Sequence, residues 1–152
     1  MTQRRRRRRR LRKRRTQKKK VQQNLLFWSS LVFVTNMWTA FFTQQYLYSF
    51  FFGSLTISSL MVHSYPTIWT NLWDKLWILS IVFYGGARLY SRRYTAALWK
   101  LTLCVLTFLF CVWVYAYGYI TSQFCFDPVC SEQYHALMHA VSSFGHHCII
   151  FL

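Results

Sequence analysis

VQQNLLFWSSLVFVTNMWTAFFTQQYLYSFFFGSLTISSLMVHSYPTIWTNLW, residues Val21 to Trp73, contains not one Asp, Glu, Lys or Arg. As a single helix this stretch would run to roughly 80 Å at 1.5 Å per residue, against a hydrocarbon core about 30 Å thick. It therefore predicts a chain that doubles back on itself inside a membrane. Thr43-Gln44-Gln45 is the cluster of polar side chains that can mark the return, dividing a first span, Leu25 to Phe42, from a second, Tyr46 to Val62. Both are near the short limit of about 17 residues for a spanning helix. Pro66 cannot continue a helix, so His63 to Asn71 reads as a loop.

Outward from this stretch the pattern continues. A third span is expected from Leu72 to Ala87, with Asp74 and Lys75 near its start and Arg88 at its end, able to snorkel. Trp69, Trp73 and Trp77 suit an interfacial aromatic belt. After a basic loop around Arg92 and Arg93, Ala96 to Ile120 makes a long fourth span with Lys100 near its start. Thr121 to Glu132, holding Asp127-Pro128, leads to a fifth span from Gln133 to Leu152. Hydrophobic residues are 54% of the 152 and only three residues are acidic, which excludes an ordinary soluble domain. The expected fold is all-α: a polytopic transmembrane helix bundle of about five spans over residues 23–152. No internal repeat is visible.

Residues 1–22 are different in kind. Of the 19 basic residues, 14 lie between Arg4 and Lys20, so most of the formal net charge of +16 belongs to this leader. It can bury no apolar surface and is expected to be a disordered Arg/Lys-rich tail. Beside a membrane it would act as a cytoplasmic topology anchor and a partner for anionic lipid headgroups. A nucleic-acid arm is disfavoured because no folded reading module follows it. A cleavable signal peptide is disfavoured because the apolar run is too long and lacks a small-residue cleavage site. The charge bias is not one-sided, since Arg88, Arg92, Arg93 and Lys100 fall on the opposite side of the membrane. Four spans, with Leu25 to Phe42 not crossing, would remove the conflict. The larger charge of the tail favours five spans with the tail in the cytoplasm. The five cysteines form no Cys-x-x-Cys knuckle; Cys125 and Cys130 suit a short disulfide only in a lumenal loop, with free thiols as the default.

The last span, QYHALMHAVSSFGHHCIIFL, carries His135 and His139 one helical turn apart on one face. Ser59 and His63 repeat that spacing at the end of the second span. Two crossings separate Asp74 from His135, so Ser59, His63, Asp74, His135 and His139 all fall toward one membrane face. Three neutral imidazoles make an open zinc site, with a fourth position for a water whose pKa falls to about 7. Asp74 suits orienting a ligand, holding the water or taking its proton, and Ser59 suits hydrogen-bonding the water or an oxyanion. Blander readings stand beside these. The His pair could simply bond neighbouring helices, Asp74 could pair with Lys75 or Arg88, and Ser58 or Ser54 could replace Ser59. His146 and His147 suit relays, extra ligands or polar packing, and Glu132 suits an outer contact of the site or a solvated acid.

Ser59-x-x-x-His63, Asp74 eleven residues later, and Tyr134-His135-x-x-x-His139 ahead of Ser142-Ser143-x-Gly145 resemble the signature of the CREST superfamily. That group includes the alkaline ceramidases and the progestin and adiponectin receptors. One span rather than four separates the Asp helix from the His-x-x-x-His helix, so the chain resembles a reduced member. The resemblance implies a helical bundle with Zn2+ on His63, His135 and His139, and with Asp74 and Ser59 around the metal-bound water. It implies an integral-membrane hydrolase cleaving an amide or acyl bond of a ceramide-like lipid by zinc-bound hydroxide. The alternatives are a non-catalytic multi-pass protein with a structural His/zinc cluster, and a membrane anchor that acts through its basic tail.

Overall fold

The computed structural model describes residues 25–122 and 130–152. The readings of the tail over residues 1–22, of Asp127-Pro128 and of a Cys125–Cys130 bridge lie outside the described residues. Within them the chain is helical and has no strand. The helices are α1 (Val32–Phe42), α2 (Tyr46–Ser64), α3 (Ile68–Arg92), α4 (Leu98–Thr121) and α5 (Ser131–Ile150). Helical turns at residues 25–30 lead through Leu31 into α1. Among the described residues, Leu25–Phe42 and Leu98–Thr121 are the two helical runs long and apolar enough to cross a membrane.

The turns between helices follow from local chemistry. At the end of α1, Gln45 N donates to Ala40 O at 2.8 Å and Gln44 N to Phe41 O at 3.0 Å, with Gln44 at φ 61°. This is a Schellman stop, in which one left-handed residue lets two orphan carbonyls find donors. The polar triplet expected to turn the chain does so, although the left-handed position is filled by Gln rather than Gly.

The second connection is shorter than expected. α2 runs through His63 to Ser64, two residues before Pro66, and α3 already begins at Ile68. Thr67 is the reason: its hydroxyl accepts from Thr70 N at 3.1 Å, while Thr67 N donates to Thr70 Oγ1 at 2.9 Å. This reciprocal capping box satisfies the first free N–H groups of α3. The sequence reading starts the span at Leu72 because it takes Pro66 to open a loop that lasts to Asn71, whereas the Thr67 cap restarts the helix at once. At the far end the helix continues past Ala87 to Arg92.

α1 lies between α2 and α5; α3 packs on the other side of α2 and touches α5 lightly, and α4 packs on α5. Phe33, Tyr48, Phe52, Leu55, Ile81 and Ile149 form the buried apolar centre. Two glycines set close crossings. A Cβ on Gly145 would collide with Thr107 Oγ1 of α4 and lie 3.0 Å from Thr107 Cβ, and one on Gly85 of α3 would lie 2.8 Å from Tyr48 Oη.

Small polar residues are buried beside this apolar centre: Asn36, Ser30, Ser58, Ser59 and Ser143, whereas Ile68, Trp69, Leu98 and Phe83 are between 74% and 85% exposed. Scattered exposed apolar residues are ordinary; an outer surface carrying this many large ones is not.

Candidate metal centre

The C-terminal end of α2, the N-terminal ends of α3 and α5, and the helical turns at residues 25–30 share one end of the bundle. His63 is the penultimate residue of α2, and His135 and His139 lie in the second and third turns of α5. Their ring centroids are 5.3 Å (His63 to His135), 5.6 Å (His63 to His139) and 4.9 Å (His135 to His139) apart. One nitrogen from each ring lies within 4.8 Å of the others.

That geometry can be tested against a metal. Donors at the corners of an equilateral triangle of 4.8 Å side lie about 2.8 Å from its centre, and zinc needs about 2.0–2.1 Å to a ring nitrogen. Each ring therefore needs to move by less than about 1 Å, within reach of small side-chain rotations. Among the described residues the group is three imidazoles with no fourth protein donor, which also matches the open form of a zinc site.

Asp74 does not join the three rings. Its Oδ1 accepts a hydrogen bond from Ser58 Oγ at 3.0 Å, which ties the start of α3 to α2 one turn before His63. Lys75 does not pair with it; its Nζ lies over the Tyr119 ring of α4, 5.7 Å from the centroid. The Asp74 carboxylate is thus held at the site end of the bundle by Ser58, one of the two serines the sequence offered besides Ser59.

Ser59 bonds elsewhere. Its Oγ lies 2.9 Å from Ser30 Oγ, and Ser30 Oγ lies 2.9 Å from Leu26 O. A carbonyl only accepts, so the Ser30 proton goes to Leu26 and Ser59 must be the donor to Ser30. Ser59 then has lone pairs and no proton left for the site. In that arrangement it is placed to accept from a water rather than to donate to an oxyanion, the other role expected of it.

The most direct unforeseen contact is Ser29, whose Oγ lies 2.9 Å from His139 Nδ1. The Ser29-Ser30 pair inside an otherwise apolar run was the available signal, since paired hydroxyls in hydrocarbon need partners. The polar face of α5 continues beyond His135 and His139. Asn36 Nδ2 of α1 donates to Ser143 O at 2.8 Å and lies 2.7 Å from His147 Nδ1, and Ser143 Oγ donates to Asn36 Oδ1 at 2.5 Å. Thr39 Oγ1 is 3.3 Å from His147 Nε2. His146 bonds the Tyr48 hydroxyl through Nδ1. Both of these histidines are therefore engaged in packing contacts well away from the three-ring group. Glu132 occupies the first turn of α5 and is half-buried. No family model, no curated protein and no solved structure matches this chain.

Proposed function

We propose that the chain is a multi-pass membrane protein of about five spans, with the basic tail on the cytoplasmic side, whose three histidines hold a zinc ion used to hydrolyse a lipid amide or related acyl bond. The observation that carries this reading is the gathering of His63, His135 and His139, distant in sequence, with one ring nitrogen from each within 4.8 Å of the others. Support for the membrane comes from the two long apolar runs and from the many large apolar side chains on the outer surface. The resemblance to the CREST superfamily supplies the expected chemistry and the ceramide-like substrate class.

Zinc bound there would activate a water for attack on a carbonyl carbon. The chain's own groups divide the remaining work. Asp74, anchored by Ser58, is the proton acceptor, and Ser59, its proton given to Ser30, receives a hydrogen bond from the water. The apolar surroundings favour an acyl chain as the bulk of the substrate.

Metal analysis of detergent-purified protein tests the centre. Wild type should carry close to one zinc per chain and His139→Ala close to none; metal-free wild type refutes it. Hydrolysis of a lipid amide should then disappear in His63→Ala, His135→Ala and Asp74→Ala. The hydrogen-bonded run of Asn36, Ser143 and His147 on the same face of α5 favours a second reading, in which the cluster serves only to hold helices together. That reading predicts that the same substitutions lower stability while no lipid is cleaved by wild type. Protease protection of epitopes at residue 2 and near Arg92 tests the span count: five spans require opposite sides.

A further inference from the structure

We propose that Ser29 is a positioning residue for the metal centre, which holds His139 with its proton on Nδ1 and so makes Nε2 the donor presented to His63 and His135. The inference rests on the zinc reading above and extends it to a residue outside the three ligands. Its basis is a count of protons. Ser29 Oγ lies 2.9 Å from Leu26 O and 2.9 Å from His139 Nδ1. The hydroxyl has one proton, and at this distance the Leu26 carbonyl, which it shares with Ser30 Oγ, can only accept it. Nδ1 is therefore the donor in the contact with His139, and the neutral ring keeps its lone pair on Nε2.

Packing holds the ring in that attitude. Phe33 stands one helical turn after Ser29, and its ring centroid is 5.4 Å from that of His139 at an interplanar angle of 58°. Ser29 thus meets the Nδ1 edge of the imidazole while the Phe33 ring lies tilted against it. Both come from the Leu25–Phe42 run, which contributes no ligand of its own. A ligating histidine with its second nitrogen satisfied is fixed in tautomer and orientation, and removing such a partner typically costs about 10–100-fold in metal affinity.

The test is made on the full chain in micelles, with zinc as the probe. Nitrogen-15 histidine spectra of the metal-free wild type, with the His139 signal identified by its loss in His139→Gln, should show protonation at Nδ1. Ser29→Ala should mix the tautomers and weaken zinc binding about 10-fold or more in competition with a chelator. Ser29→Thr, which keeps the hydroxyl, should restore both. A wild-type His139 protonated at Nε2 overturns the role of Ser29 without any variant having to fold. So does unchanged zinc affinity in Ser29→Ala. Wild type that binds no zinc fails in a different way, because it removes the metal reading itself and the positioning role with it.

Discussion

Asn36 offers the sharpest test of how this bundle is held together. It is fully buried and joins α1 to α5 through Ser143 O, Ser143 Oγ and His147 Nδ1. Measured interhelical hydrogen bonds in membranes average about 0.6 kcal/mol and reach about 1.7. His147 Nδ1 also lies 2.9 Å from Ser143 O, which only accepts, so the two bonds to Ser143 are the ones that count, and they put the loss in Asn36→Ala at about 1 kcal/mol, before any cavity term. A double-mutant cycle isolates one bond, since Ser143→Ala removes the hydroxyl that donates to Asn36 Oδ1 and leaves the Ser143 carbonyl in place. Unfolding by SDS in mixed micelles, followed by helical circular dichroism, should give a coupling energy between about 0.5 and 1.7 kcal/mol for the pair. Strict additivity of the two substitutions would refute the argument, because residues in direct contact cannot be energetically independent.

Gly145→Ala should destabilise the bundle, since the new methyl meets Thr107 where α4 crosses α5. Overpacking costs about 1–3 kcal/mol against a helix-propensity gain of about 1, so the midpoint of SDS unfolding should fall. Gln44→Gly should do the reverse. Relief of a left-handed residue is worth about 1–2 kcal/mol, and after the entropy of an added glycine a gain of up to about 1 remains, read by the same unfolding assay. Zinc retention should weaken as the pH is lowered, because protons compete for the same ring nitrogens; equilibrium dialysis against a metal buffer at several pH values measures it, and retention that is flat with pH would point to other ligands.

The helices were largely legible because charge-free apolar runs broken by Thr43-Gln44-Gln45 and Pro66 leave few ways to fold. Boundaries were less so. The capping turn at Thr67 and Thr70 extends α3 by a turn into the stretch read as a loop after Pro66, since a cap is made by side-chain oxygens and needs no apolar residue. His63, His135 and His139 were conspicuous because imidazoles are costly in hydrocarbon. Ser29, Ser30 and Asn36 were not, since small polar residues are common in helix packing and their partners lie more than a hundred residues away or on another helix. The roles of Ser58 and Ser59 turned on a single step along α2. One residue is about 100° of rotation, which sends Ser58 to Asp74 on α3 and Ser59 to Ser30 on the opposite neighbour.

α4 takes its helix packing from α5, and α5 supplies two of the three imidazoles. Any tilt of that hairpin carries His135 and His139 together and leaves His63 behind with α2. An ion shared by the three would thus tie the end of α2 directly to α5, two helices that otherwise meet through α1 and α3.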